Sequence, residues 1–152
     1  MSRIDRADQK PTVLLVEDDP AHAEIVRRNF TSIGIPHRMD HVWDGEAALD
    51  YLMHRGSFGN GDSPPRPDLV LLDLRLPRLG GLGVLAAIKS DKRLESIPVV
   101  ALTTSKAFDD LEQAYRLGVN SYLVKPLERN AFEALLTSLG YYWLQWNEQP
   151  HP

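Results

Sequence analysis

Five residues that can bind metal or take part in chemistry follow short apolar runs in this sequence: Glu17, Asp18, Asp73, Thr103 and Lys125. If the fold brings them together, the carboxylates repel one another unless a cation neutralises them. A hard divalent cation such as Mg²⁺ prefers oxygen ligands of this kind. Zinc and copper are not expected, because the cluster contains neither Cys nor His. The residue types therefore predict a magnesium site.

A carboxylate beside a bound cation can also accept a phosphoryl group. Attack of Asp73 on phosphorus would give an aspartyl-phosphate, and the cation would hold the phosphoryl group in line and shield its charge. Lys125 would place a positive charge against another phosphoryl oxygen, and the Thr103 hydroxyl would donate a hydrogen bond to a third. A phosphoryl group adds about −1.5 to −2 charges, enough to reposition nearby loops. We therefore expect a signalling switch and not an enzyme.

The elements that must position these residues can be predicted from the apolar pattern. Four continuous apolar runs are typical of strands buried on both faces, at 13–16, 69–72, 99–102 and 122–124. A weaker strand is predicted near 38–42, and helices over 20–32, 46–55, 82–90, 108–117 and from 128 onward. This alternation predicts an α/β fold with a parallel sheet and helices on both faces. All strand C-termini then lie at one edge, where ligands bind in such sheets.

Length and composition exclude several other classes of protein. The chain has 152 residues, which fits one domain, and a net charge of −4 with both signs interspersed, so a nucleic-acid partner is not expected. The absence of cysteine suits a cytoplasmic location. An apolar run long enough for a membrane span and a signal-peptide core are both absent, so no membrane association is predicted. Residues 56–67 are half Gly or Pro and predict a long loop.

Four segments occur in order: LLVEDDP, LVLLDLRLPRLGG, VVALTT and SYLVKP. Through them, residues 12 to 138 resemble the receiver domains of response regulators in two-component signalling. The long loop and the aromatic tail resemble the stand-alone regulators that work with phytochrome-type kinases. The resemblance implies a flavodoxin-like, doubly wound five-stranded sheet with strand order 2-1-3-4-5. It divides the chain into a polar tail (1–11), a receiver domain (12–140) and an aromatic C-terminal extension (141–152).

The resemblance also implies roles for the acceptor and for the metal ligands. Asp73 would be phosphorylated by a sensor histidine kinase and would lose the phosphoryl group slowly by self-dephosphorylation. Asp18, Asp73 and the backbone carbonyl of Arg75 would bind Mg²⁺, with Glu17 acting through water. Arg75 and Ser105 occupy two positions that tune the phosphoryl lifetime in this family. We hypothesise that Arg75 shields the phosphoryl group from water.

A second set of implied roles concerns the response to phosphorylation. Thr103 would move toward the phosphoryl group and Tyr122 would change rotamer with it, while Lys125 would bind a phosphoryl oxygen. Thr104 follows Thr103, so either threonine could supply the hydroxyl. A cis peptide bond before Pro126 is the family expectation, and X–Pro bonds are where cis is energetically accessible.

Other features of the sequence allow more ordinary interpretations. Asp19 is expected to cap a helix and not to bind metal. The histidines at 22, 37, 41, 54 and 151 are scattered and are interpreted as structural or exposed. Four of the twelve aromatic residues lie in 141–146. They either pack on the core or form an exposed contact surface, and we favour a homodimer through this tail and the last strand–helix region.

Three alternative functions remain less favoured. An Asp-nucleophile phosphatase would need a second Asp two positions after Asp73, where this sequence has Arg75. A flavin-binding protein of the same topology would need a phosphate-cradling loop, whereas the acidic residues at 17–19 would repel the flavin phosphate. A degenerate receiver that never takes phosphate is disfavoured by the intact set of site residues.

Overall fold

Strands and α-helices alternate along residues 10–61 and 63–148, which the computed structural model describes. The strands are β1 (Thr12–Val16), β2 (Arg38–Val42), β3 (Leu69–Leu72), β4 (Val99–Thr103) and β5 (Ser121–Val124). The α-helices are α1 (Pro20–Ile33), α2 (Gly45–Met53), α3 (Gly81–Ser90), α4 (Phe108–Arg116) and α5 (Arg129–Tyr141). A 3₁₀ turn at Gly56–Phe58 lies in the predicted long loop. None of the helices in these two described ranges is long and apolar enough to cross a membrane.

The five strands form one sheet in the order β2-β1-β3-β4-β5, and all four neighbouring pairs are parallel. This confirms the flavodoxin-like fold and the predicted strand order. In the register, Val16 at the end of β1 is paired with Leu72 at the end of β3. The residues that follow them, Glu17 and Asp73, therefore leave the sheet side by side.

The core consists of two layers, one on each face of the sheet. Leu14, Val70 and their neighbours on the same face pack against α2, α3 and α4. Val13, Leu69 and the other alternate residues pack against α1 and α5. Because successive strand side chains point to opposite faces, a strand covered on both faces must be apolar at every position. This explains the continuous apolar runs in the sequence.

Capping groups begin and end the helix that follows the acidic turn. The Asp19 carboxylate accepts hydrogen bonds from the backbone N–H groups of Ala21 (2.9 Å) and His22 (3.2 Å), which confirms its predicted capping role. At the other end, Gly34 adopts a left-handed conformation (φ 80°) and closes α1. The caps fix where α1 starts relative to Glu17 and Asp18.

The C-terminal extension divides its aromatic residues between the core and the surface. Helix α5 continues into a π-helix over Tyr142–Trp146. Trp143 packs against the core layer beneath α1 and α5, whereas Tyr142 and Trp146 are 55% and 71% exposed. The tail therefore packs partly on the core and is partly exposed. The last four residues and the predicted polar tail up to residue 9 lie outside the described residues, as does His151.

Candidate functional site

Three carboxylates lie together at the C-terminal edge of the sheet. Glu17 and Asp73 are buried (1% and 6% exposed), while Asp18 is exposed. Each contributes one carboxylate oxygen to a cluster in which the oxygens lie within 4.8 Å of one another. An all-oxygen set with one open side suits a hard divalent cation that keeps several waters. The three residues that the sequence indicated could therefore hold a metal ion.

Lys125 contacts the two buried carboxylates of this cluster. Its Nζ donates hydrogen bonds to Glu17 Oε1, to Asp73 Oδ2 (3.2 Å) and to Nδ1 of His22 (3.0 Å). Its backbone N–H donates to the carbonyl of Thr103 (2.7 Å), which fixes the end of β5 against β4. Buried carboxylates are tolerated only when they are paired. The lysine therefore provides the charge that keeps Glu17 and Asp73 in place.

Burial dominates the ionisation of Glu17. It raises the pKa of this carboxyl from 4.5 to about 7, although Lys125 acts to lower it; the nearby charge of Asp73 raises it further. His41 supports the same turn, because its Nε2 lies 2.8 Å from the Glu17 carbonyl oxygen and donates to it. His41 therefore holds the acidic turn through the backbone carbonyl of Glu17. The buried Glu17 carboxyl, with its pKa raised to about 7, exchanges a proton near neutral pH.

Thr103 and Tyr122 are connected through Ser105. Thr103 is fully buried at the end of β4, whereas Thr104 is exposed. The Ser105 backbone N–H donates to Thr103 Oγ1 (3.3 Å), and the Tyr122 hydroxyl donates to the Ser105 carbonyl (3.0 Å). A movement of Thr103 would therefore reach Tyr122 through the backbone of Ser105.

Arg75 contacts Asp73 with its backbone and the β4–α4 region with its side chain. Its backbone N–H donates to Asp73 Oδ1 (3.0 Å). Its guanidinium donates to Ser105 Oγ (3.2 Å) and to Asp110 Oδ2 (3.0 Å). The side chain is thus bound to a second carboxylate, and this partner was not anticipated from the sequence.

The chain after Asp73 approaches the acceptor strand closely at Gly81. A Cβ atom at this position would lie 2.4 Å from the Asp73 carbonyl oxygen and 2.4 Å from Leu74 Cα. A Cβ at the preceding Gly80 would meet nothing within 4 Å. Only Gly81 therefore needs to be glycine for α3 to begin directly against the acceptor turn.

His22 has the structural role that was expected of it. Its ring contacts Phe132 edge to face (5.8 Å between centroids), and it is also the third partner of Lys125, a contact that was not anticipated from the sequence. His22 lies in the first turn after the acidic residues, but this position alone did not reveal its partner. The peptide bond before Pro126 is trans, as are all peptide bonds of the described residues, so the expected cis bond is absent. The preference between the isomers is only about 0.5–1 kcal/mol for X–Pro bonds.

Sheet order, strand-end carboxylates and a buried lysine together define a class of protein. The response regulator receiver domain family matches residues 13–137, and the chain belongs to this family. The probable methanogenesis regulatory protein FilR2 of Methanothrix harundinacea is 49% identical over 141 residues, covering 92% of this chain and 88% of that protein. Response regulator Rcp1 of Synechocystis sp. is 38% identical, covering 93% of this chain and 94% of that protein.

Solved structures of related proteins have the same fold. The phosphorylated cyanobacterial phytochrome response regulator RcpA is 36% identical and superposes with a TM-score of 0.88, covering 94% of this chain and 100% of that one. The Mn²⁺-bound form of Rcp1 superposes with a TM-score of 0.87. The matches extend over nearly the whole of each relative. The chain is therefore similar to stand-alone phytochrome response regulators along almost its full length.

Proposed function

We propose that this chain is a stand-alone response regulator in which Asp73 accepts a phosphoryl group from a sensor histidine kinase in the cytoplasm. The observation that carries the proposal is the position of Asp73, whose Oδ2 lies 3.2 Å from Lys125 Nζ and whose carboxylate clusters with Glu17 and Asp18. Asp73 is 6% exposed, whereas Asp18 in the same cluster is exposed. A nucleophile, a positive charge and a candidate metal site thus meet at one point.

The proposed transfer forms one bond to phosphorus and breaks another. A carboxylate oxygen of Asp73 attacks the phosphorus of a phosphohistidine, and the P–N bond breaks with its electron pair leaving on the imidazole nitrogen. Lys125 Nζ, already beside the attacking carboxylate, donates to a phosphoryl oxygen. Asp18, Asp73 and the backbone carbonyl of Arg75, with Glu17 through water, would hold Mg²⁺, whose charge would oppose that of the phosphoryl oxygens.

The response would pass from Thr103 to Tyr122. The Thr103 hydroxyl, which now accepts from the Ser105 N–H, would donate to a phosphoryl oxygen and move toward it. Because Ser105 also accepts from the Tyr122 hydroxyl, this shift would release the tyrosine to a new rotamer. The surface around β5 and α5 would change as a result. Water would later attack phosphorus and regenerate Asp73 with release of phosphate, so the chain acts as a switch with slow self-dephosphorylation.

The input to this switch is proposed to be a phytochrome-type histidine kinase. RcpA is named as a cyanobacterial phytochrome response regulator and Rcp1 as a response regulator. Both match this chain over almost their full lengths. FilR2, at 49% identity, carries the name of a methanogenesis regulator. Phosphotransfer from an autophosphorylated bacteriophytochrome kinase, compared with transfer from a histidine kinase that lacks a phytochrome module, would distinguish the two inputs. Equal transfer rates from both kinases would contradict the phytochrome assignment.

The output is proposed to include a homodimer formed by the last strand–helix region and the aromatic tail. The exposed residues Tyr141, Tyr142 and Trp146 lie at the last residue of α5 and in the π-helix that follows it, and they would pack against the same surface of a second copy. Sedimentation at micromolar concentration, with and without phosphorylation, tests this. A monomer under both conditions would contradict the proposal. Trp146→Ala should weaken the dimer, and Trp43→Ala, which removes a half-exposed tryptophan elsewhere, should not.

The acceptor itself is tested by incubation with acetyl phosphate and Mg²⁺ followed by intact mass measurement. We expect the wild-type protein to gain one phosphoryl group and Asp73→Asn to gain none. Chelation of the metal should prevent the gain in the wild type. Phosphorylation of Asp73→Asn to the wild-type extent would rule out Asp73 as the acceptor.

A further inference from the structure

Asp110 is a carboxylate in the first turn of α4 that none of the roles above includes. Its Oδ2 accepts from the Arg75 guanidinium (3.0 Å) and from Ser105 Oγ (2.5 Å). The side chain of Asp110 is 22% exposed and that of Arg75 is 62% exposed. One oxygen therefore binds both side chains that flank the acceptor site on the side of β4.

We propose that Asp110 is a positioning residue that competes with the phosphoryl group on Asp73 for the Arg75 guanidinium. In the unphosphorylated protein the guanidinium is held by Asp110 and Ser105. After phosphorylation it exchanges the Asp110 carboxylate for a phosphoryl oxygen. This inference rests on the proposed function, because it requires a phosphoryl group at Asp73.

The position of the Arg75 backbone makes the exchange possible. Its N–H already donates to Asp73 Oδ1, so the side chain is anchored beside the carboxylate that would carry the phosphoryl group. A guanidinium binds carboxylates and phosphoryl groups with the same planar set of donors. A phosphoryl group carries about −1.5 to −2 charges, against one for a carboxylate. The phosphoryl group is thus the stronger competitor for the Arg75 guanidinium. The Asp110 carboxylate weakens the binding of Arg75 to the phosphoryl group, because it competes for the same donors.

The exchange also affects the start of α4. Ser105 Oγ donates to Asp110 and accepts from the backbone N–H of Ala107 (3.3 Å), so this serine joins the β4–α4 loop to the helix. When Arg75 leaves, Asp110 keeps only the serine contact. Loss of the Arg75 bond therefore loosens the link between the acceptor loop and α4 at the same time as Thr103 moves.

The variant Asp110→Asn separates the charge of Asp110 from its structural contacts. Asparagine keeps an oxygen that can accept from Ser105 but lacks the charge that competes for Arg75. Asp109→Asn is the matched control, because it removes the same charge from the preceding, exposed residue of the same helical turn. Both variants and the wild type are phosphorylated with acetyl phosphate, and the excess acetyl phosphate is then removed by desalting. Intact mass measured over time gives the rate at which the phosphoryl group is hydrolysed. The same measurement is made in an Arg75→Ala background.

We expect Asp110→Asn to lengthen the phosphoryl lifetime about two- to fivefold, the range that corresponds to a partly exposed ion pair. Asp109→Asn should leave the lifetime unchanged, and in the Arg75→Ala background Asp110→Asn should have no effect. Equal lifetimes in Asp110→Asn and Asp109→Asn, or the same lengthening without Arg75, would overturn the inference alone. Failure of the wild type to gain a phosphoryl group would overturn the proposed function and the inference with it.

Discussion

The inner and outer halves of the acceptor site are built from the same kinds of charge but in different surroundings. On the inner side, Glu17 and Lys125 form an ion pair whose side chains are both 2% exposed. On the outer side, Arg75 and Asp110 form a pair in which the arginine is 62% exposed. Removing one partner of a buried pair leaves an uncompensated charge, whereas an exposed pair is screened by water. The buried Glu17–Lys125 pair is therefore costly to break, whereas the exposed Arg75–Asp110 pair can exchange partners at little cost.

The largest effect on stability is expected for Lys125→Met. This change leaves the buried Glu17 and Asp73 carboxylates without their cation, so we expect a loss of about 3–5 kcal/mol in the free energy of unfolding. Urea denaturation without added metal measures it. Lys106→Met, at an exposed lysine in the β4–α4 loop, should change stability by less than about 0.5 kcal/mol. Equal losses in the two variants would contradict the contrast between the halves.

A smaller loss in the free energy of unfolding is expected when the close packing against the acceptor turn is disturbed. The adjacent residues Gly80 and Gly81 allow a test. Gly81→Ala would force a Cβ against the Asp73 backbone and should cost about 1–3 kcal/mol. It should also lower the rate of phosphorylation by acetyl phosphate, because the acceptor turn must shift. Gly80→Ala, with open space around its Cβ, is the control and should be near neutral. Similar losses in both variants would show that the close approach at Gly81 does not matter.

The ionisation of Glu17 gives a pH dependence to the inner half. Because burial raises its pKa from 4.5 to about 7, the neutral carboxyl stabilises the metal-free fold below pH 4.5, and this contribution is lost as the pH rises through 7. Mg²⁺ should therefore raise the melting temperature more at about pH 8 than at about pH 5, with proton release on binding near neutral pH.

Glu17→Gln provides the control for this titration, since it cannot ionise. Calorimetric titration of Mg²⁺ in two buffers of different ionisation enthalpy measures the released proton. We expect release in the wild type and a much smaller release in Glu17→Gln. Identical proton release in the two proteins would show that another group titrates.

The smallest effect is expected on the outer side. Arg75→Ala removes the exposed guanidinium and its contacts with Ser105 and Asp110, and should change the free energy of unfolding by less than about 1 kcal/mol. A change of several kcal/mol in urea denaturation would mean that the outer half is as rigid as the inner half. The comparison between the two halves would then fail.

The residues at the strand ends of the site could be predicted from the sequence, whereas the partners of Lys125 and Arg75 on the neighbouring helices could not. Glu17, Asp73 and Lys125 immediately follow strands, and the register of a parallel sheet determines where strand ends lie. His22 and Asp110 lie in first turns of helices, where the direction of a side chain depends on how the helix packs. That packing is set by many contacts distant in sequence, so no local pattern revealed that these two residues bind Lys125 and Arg75.

The C-terminal extension shows the same limit in another form. The apolar spacing of α5 predicted a helix, but it did not indicate the π-helix that follows or which aromatic residues face inward. A Cβ at Gly140 would lie 2.2 Å from Ile33 Cδ1, so the end of this α1 side chain would have to move to accommodate it. The close approach of the two helices is a property of the assembled layer and could not be seen in α5 alone.

The hydrogen-bond capacity of Lys125 constrains how the switch can work. An ammonium group has three hydrogens, and Glu17, His22 and Asp73 already take one each. A fourth acceptor cannot be added, so an incoming anion must displace one of the three groups that Lys125 Nζ now binds. If His22 is the group displaced, α1 loses its direct tie to β5, and the imidazole resting on Phe132 of α5 becomes free to reorient. Binding of an anion at Lys125 would then alter the contact between α1 and α5 on the face of the sheet that these two helices cover.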